Sequence, residues 1–181
     1  NEIFVAGISY GSLVAQHFAL QFGQSVKGLI LISSFAAQSH YYRAIELSWE
    51  NALAQTGYRG FVTTILPYVL GKTFFEKNNV SAEQIIEDRM KQPVNENSLR
   101  LLMLATKERK NYTQELSGLQ SRVLILHGEE DILFPTEMAY HLSSAIKNSH
   151  LVIFPKTGHS INVEQPELLT REIEKFIEGN L

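Results

Sequence analysis

The sequence predicts an α/β fold: a mostly parallel sheet covered by helices and interrupted by a helical insertion. Three observations carry this expectation. Short apolar runs of strand length alternate with helical periodicity at both ends of the chain, over residues 1–34 and 120–181. Those runs are near-continuous rather than alternating, the pattern of strands buried on both faces. Between them, residues 35–119 show helical signals and no strong strand.

Ile3 to Ala6 is an apolar run closed by Gly7 and reads as a buried strand. Val14, Phe18 and Phe22 then recur every four residues, one stripe of a helix expected to stop at Gly23. Val26 to Ile32 is a second strand, which completes a βαβ unit. In the insertion, Tyr42, Ile45, Trp49 and Leu53 share a helix face, with Gly57 as its stop and a kink or break at Pro67. Ser81 and Gln84 have capping-box spacing ahead of Ile85 and Ile86. Another helix is expected from Asn97 to Glu108 through Leu101, Leu102 and Leu104. The α/β rhythm resumes with a strand at Val123–Leu126, a helix at Thr136–Ile146 and a strand at Leu151–Phe154. Pro166 opens a last helix with Leu168, Leu169, Ile173, Phe176 and Ile177 on its apolar side.

Composition bounds the function. With 181 residues, 44% hydrophobic and 19% charged, the chain suits one globular domain with an inserted subdomain. A net charge of −3 with scattered Lys and Arg argues against a nucleic-acid or membrane-surface binder. Apolar runs such as Gly28 to Ile32 are too short to span a bilayer. There is no cysteine, which removes disulfides and thiolate chemistry and fits a cytoplasmic protein. No His/Asp/Glu cluster has metal-ligand spacing and no Gly-rich phosphate loop occurs, so neither metal nor cofactor is expected.

Chemistry enters with Gly7-Ile8-Ser9-Tyr10-Gly11, a G-x-S-x-G sequence between a strand and a helix. Such a sharp turn strains the serine backbone, and the flanking glycines let neighbouring backbone pass. Ser9 would stand at a helix N-terminus, where backbone N–H groups favour developing negative charge. A serine nucleophile needs a base, and the base an orienting acid. Asp131 follows the strand ending at Leu126, and His159 follows the strand ending at Phe154. In an open α/β sheet, groups beyond the carboxyl ends of strands share one edge. Glu129 and Glu130 are rivals for the acid. Of the other histidines, His17 and His141 fall in helices, His150 opens a strand, His40 belongs to the insertion and His127 ends a strand, each read as structural.

The order Ser9, Asp131, His159 resembles that of the α/β-hydrolase superfamily. The Gly7–Gly11 elbow, the Gly128-x-x-Asp131-x-x-x-Pro135 segment and the Gly158-His159 turn with its trailing helix carry the resemblance, which covers essentially the whole chain. It implies the α/β-hydrolase fold with 35–119 as the helical cap, and a serine hydrolase of the esterase, enol-lactonase or carbon–carbon hydrolase kind. The expected substrates are small apolar esters, lactones or thioesters. Ser9 would be the nucleophile, His159 the base, Asp131 its orienting acid, and the Tyr10 backbone N–H an oxyanion donor. A serine at the elbow argues against the dehalogenases and epoxide hydrolases that use aspartate. An acyltransferase or thioesterase with the same triad, and a non-catalytic hydrolase-like fragment, are the alternative readings. The resemblance also implies strands ahead of the elbow and a second oxyanion donor from them. The start at Asn1, without Met and beside an apolar run, is therefore read as a cut. The Ile3–Ala6 edge would then pair with an N-terminal segment or with a second copy. Trp49, Tyr58, Phe61, Phe74 and Phe75 are read mainly as the insertion's own core, with some lining a pocket.

Overall fold

A computed structural model describes residues 2–109 and 111–181; Asn1, where the expected core segment begins, and Lys110, inside the insertion, lie outside the described residues. Four parallel strands form one sheet in the order β1-β2-β3-β4, with β1 at Ile3–Ile8, β2 at Val26–Ile32, β3 at Arg122–Gly128 and β4 at Ser149–Phe154. Helices α1 (Tyr10–Gln21), α6 (Thr136–Ala145) and α8 (Pro166–Glu178) cover it. Between β2 and β3 lie α2 (His40–Val69), α3 (Lys72–Asn78), α4 (Ala82–Met90) and α5 (Glu96–Lys107). A single turn, α7 (Ile161–Glu164), precedes α8. The α/β-hydrolase fold class expected from the sequence is the one observed.

Strand periodicity sorts the core into two faces. Leu29 and Leu31 of β2, with Val123 and Ile125 of β3, pack against Ala15 and Ala19 of α1 and Leu142 of α6. Their alternate neighbours Ile30, Ile32, Leu124 and Leu126 meet Phe154, Leu169 and Phe176 on the α8 side. Both central strands are therefore buried on two faces, which is why they read as unbroken apolar runs.

Several sequence expectations are corrected. The Val14–Phe18–Phe22 stripe is not the buried face of α1: Val14 is 55% and Phe22 52% exposed, while Ser12, Leu13, Ala15, Gln16 and Ala19 are buried. Leu101, Leu102 and Leu104 are exposed on α5, whose buried residues are Met103 and Thr106. Ile177 is likewise exposed on α8. Pro67 does not break its helix: the backbone stays helical there and α2 runs on to Val69. The break is at Gly57, as expected: its φ 66° and ψ −164° are non-helical, so α2 is two helical stretches joined by a kink there. Half of the capping box expected at α4 is present: Ser81 Oγ accepts from the Gln84 N–H at 3.1 Å, while the Gln84 side chain donates to Asp88 instead. Ser39 and Asn95 cap α2 and α5 in the same way.

Candidate active site

Ser9 is held where β1 turns into α1. Its N–H donates to Ile32 O at 2.8 Å, which prolongs the strand pairing by one residue. Its backbone then adopts φ 52° and ψ −121°, a strained conformation for a residue with a side chain. Gly7 permits the turn: a Cβ there would sit 2.2 Å from Gly11 O and 2.7 Å from Ser12 N. Gly11 does not act in this way, since a Cβ on it would meet nothing within 4 Å. Behind the elbow, a buried polar cluster fixes the first turns of α1. The Ser12 hydroxyl donates to Ser9 O, and Gln16 Nε2 donates to Ser34 Oγ and Phe35 O at 2.9 Å each. Arg109 closes it by donating to Gln16 Oε1 and Ala36 O, both at 3.0 Å.

The loops after β3 and β4 bring the other two side chains to Ser9. His159 Nδ1 lies 2.7 Å from Asp131 Oδ2, and His159 Nε2 lies 2.9 Å from Ser9 Oγ. Asp131 and His159 are both buried. The second Asp131 oxygen accepts the Leu133 and Phe134 N–H groups at 3.0 and 2.9 Å, so the carboxylate is fixed before the imidazole meets it. Phe134 stacks edge-on to the His159 ring at 5.1 Å and shields it. Ser33, at the end of β2, donates from Oγ to His159 O at 2.6 Å. Tyr10 N–H is the first of α1 and, like every first-turn donor, has no carbonyl one turn back to bind.

Glu129 and Glu130 are turned elsewhere. Glu129 accepts from Lys156 N at 2.9 Å, and Glu130 from Thr73 N and Oγ1 at 2.9 and 2.6 Å. His17, His40, His141 and His150 are exposed, whereas His127 is fully buried. Its Nε2–H donates to Phe134 O at 2.7 Å and stands 3.7 Å from Asp131, too far for a hydrogen bond. Burial pushes the His127 pKa below the ordinary histidine value, against the pull of Asp131 and the Phe134 hydrogen bond. The ring is thus neutral when folded, and below about pH 6.5 the unfolded chain takes a proton that the native ring refuses. Stability is therefore expected to be full above that pH and to fall as pH drops toward the folded value. Thermal melts at pH 7.5 and 5.5 check this: His127→Gln, which keeps a donor for Phe134 O and cannot titrate, loses less on acidification than the wild type. Parallel losses would contradict it.

Ser9 and His159 open onto a cavity of about 300 Å³ between the sheet edge and the insertion, lined among others by Tyr10, Phe35, Trp49, Phe61 and Phe134, while Asp131 stays buried behind the imidazole. Trp49 and Phe61 thus serve both the insertion's core and the cavity wall, whereas Tyr58, Phe74 and Phe75 lie off it. Among the described residues no group of three or more His, Asp or Glu could hold a metal, and no helix is long and apolar enough to cross a membrane. The structure brings together Ser9, Asp131 and His159, the three residues named from the sequence, and adds Ser33 and Glu164 as further contacts of the His159 loop. Glu164 accepts the Gly158 N–H at 2.8 Å, and no motif announces its role.

The sequence model described as the Ndr family matches residues 1–180. The 2-hydroxy-6-oxo-2,4-heptadienoate hydrolase of Pseudomonas putida is 23% identical over 98% of this chain and 64% of its own length. Carboxylesterase YbfK of Bacillus subtilis is 23% identical over 98% of this chain and 58% of its own length. A thermophilic esterase from Thermogutta terrifontis superposes with a TM-score of 0.83 at 24% identity, over 98% of this chain and 65% of that one. The chain thus spans less than two thirds of the length of each of these three proteins.

Proposed function

The chain belongs to the Ndr family, on the α/β-hydrolase fold, and from that premise we propose that it is a serine hydrolase cleaving carboxylic esters or lactones through an acyl-enzyme. The observation that carries this reading is the unbroken relay from Ser9 Oγ to His159 Nε2 and from His159 Nδ1 to Asp131 Oδ2, at 2.9 and 2.7 Å. It stands at the mouth of an apolar cavity. The relatives' own activities, a dienoate hydrolase and a carboxylesterase among them, support the same class of chemistry.

His159 takes the Ser9 proton as Oγ attacks the substrate carbonyl carbon. Asp131 accepts the Nδ1–H, which leaves Nε2 free to face Ser9, and stabilises the imidazolium that forms. Charge building on the carbonyl oxygen is met by the Tyr10 N–H at the positive end of α1. The imidazolium then protonates the departing alkoxide or enolate. Water, deprotonated by the same imidazole, attacks the acyl-enzyme, releases the acid and restores Ser9. A cavity of about 300 Å³ lies at the small end of ligand sites. The apolar wall suits a compact hydrocarbon acyl group, with the helical insertion acting as a cap over it.

The test is a panel of small esters, lactones and thioesters assayed in water, alone and with competing alcohol or thiol acceptors. Free acid as the product whatever acceptor is present supports the reading. Accumulation of the acceptor's ester or thioester would assign the chain to acyl transfer instead.

A further inference from the structure

We propose that Glu164 is a positioning residue for His159, its carboxylate clasping the loop that carries the histidine to the hinge at Gly71 between α2 and α3; the proposal rests on the Ser9–His159–Asp131 reading above. Two chain segments meet at this carboxylate, and a third bond ties them to each other. From the β4–α7 loop, Gly158 N–H donates to Glu164 Oε2 at 2.8 Å, one residue before His159. From the insertion, Gly71 N–H donates to the same carboxylate at 3.2 and 3.3 Å. Ser160 N–H, on the other side of His159, donates to Val69 O at 3.0 Å. His159 is therefore flanked on both sides by residues tied to the hinge, while Ser33 holds its own carbonyl.

The approach is too close for side chains. A Cβ on Gly158 would lie 2.2 Å from Gly71 N and 2.8 Å from Glu164 Oε1; one on Gly71 would lie 2.7 Å from Gly158 N. With backbone against backbone and both glycines buried, the two N–H groups find their acceptor in Glu164. Burial raises the Glu164 carboxyl pKa, and the N–H groups of Gly158, Gly71 and Ser160 draw it back down, with the nearby Glu130 charge adding to the rise. Without the carboxylate, the Gly158 and Gly71 N–H groups would lose that partner and draw the loop toward water. His159 Nε2 would leave its 2.9 Å contact with Ser9 Oγ.

Glu130 supplies the control. It grips the same hinge through Thr73 but makes no side-chain bond to the His159 loop. The experiment measures the second-order rate of Ser9 labelling by a small fluorophosphonate, and kcat and KM on an ester, in wild type, Glu164→Ala, Glu164→Gln and Glu130→Ala, each checked for folding by circular dichroism. A displacement of about 1 Å at a reacting group costs roughly 100-fold. Glu164→Ala is expected to lose about that factor in labelling and kcat, with KM little changed. Glu164→Gln, which keeps one oxygen acceptor, falls between it and wild type, and Glu130→Ala stays near wild type. If Glu164→Ala does not fold, Glu164→Gln decides by the same rates. Folded Glu164 variants that label at the wild-type rate overturn the proposal, as does a Glu130→Ala loss equal to that of Glu164→Ala. A folded wild type that takes no label overturns the triad reading and this inference with it.

Discussion

Ser9→Ala is expected to lower kcat by roughly 10⁶-fold, His159→Ala by about as much, and the double variant by no more than either alone. The reason lies in the geometry. Ser9 Oγ is a weak nucleophile unless its proton leaves as the bond forms, and the group placed to take that proton is His159 Nε2 at 2.9 Å. Removing either partner stops the same step, so the two losses do not add. Residual turnover in all three variants, roughly 10³-fold over water, would come from the Tyr10 N–H and the cavity, which the substitutions leave intact. Ser9→Ala removes one oxygen from a half-buried side chain and should leave the fold intact, whereas His159→Ala also gives up a buried ring packed on Phe134 and should melt lower. Steady-state kinetics on the best ester of the panel, with melting temperatures alongside, give the comparison. Losses that multiply would mean that serine and histidine act in separate steps.

Asp131→Asn is expected to cost about 10⁴-fold in kcat with little effect on KM or folding. Asp131 does two things with its two oxygens. Oδ1 accepts the Leu133 and Phe134 N–H groups, and Oδ2 faces the imidazole. An asparagine in this place keeps its carbonyl oxygen on those two N–H donors, and so must turn its NH₂ toward His159 Nδ1. The imidazole then accepts there and carries its proton on Nε2, where it faces Ser9 and cannot take a proton from it. Asp131→Ala should lose activity and stability together, because two buried N–H groups are left unpaired at about 1–3 kcal/mol each. The contrast between an inactive, stable Asn variant and a destabilised Ala variant separates the two duties. An Asn variant within tenfold of wild type would remove Asp131 from the relay.

Much of this was legible in the sequence for identifiable reasons. The central strands β2 and β3 announce themselves because burial on two faces demands unbroken apolar runs. Ser9, Asp131 and His159 are legible because each follows a strand and an adjacent glycine or turn marks the place. The α/β-hydrolase superfamily followed from that order, although the Ndr family did not. What was misread depended on contacts across the chain. The buried face of α1 includes Ser12 and Gln16, whose partners Ser34 and Arg109 are far away in sequence, so hydropathy pointed to Val14 and Phe22 instead. In α5 the apolar residues outnumber the buried places, and Leu101 and Leu104 remain in solvent. Gly57 and Pro67 both carry a breaking signal, and only the fold decides that the glycine bends the chain. Ser33 and Glu164 bind backbone groups 126 and 93 residues away, which leave no local pattern.

The central claim is that Ser9, His159 and Asp131 form a working nucleophile, and covalent labelling tests it most directly. The folded protein is treated with a fluorophosphonate and the adduct mapped by peptide mass spectrometry, beside Ser9→Ala and His159→Ala. The account predicts one adduct, on Ser9, absent from Ser9→Ala and formed far more slowly in His159→Ala. A folded chain that takes no adduct at Ser9, or takes it equally fast without His159, would contradict it.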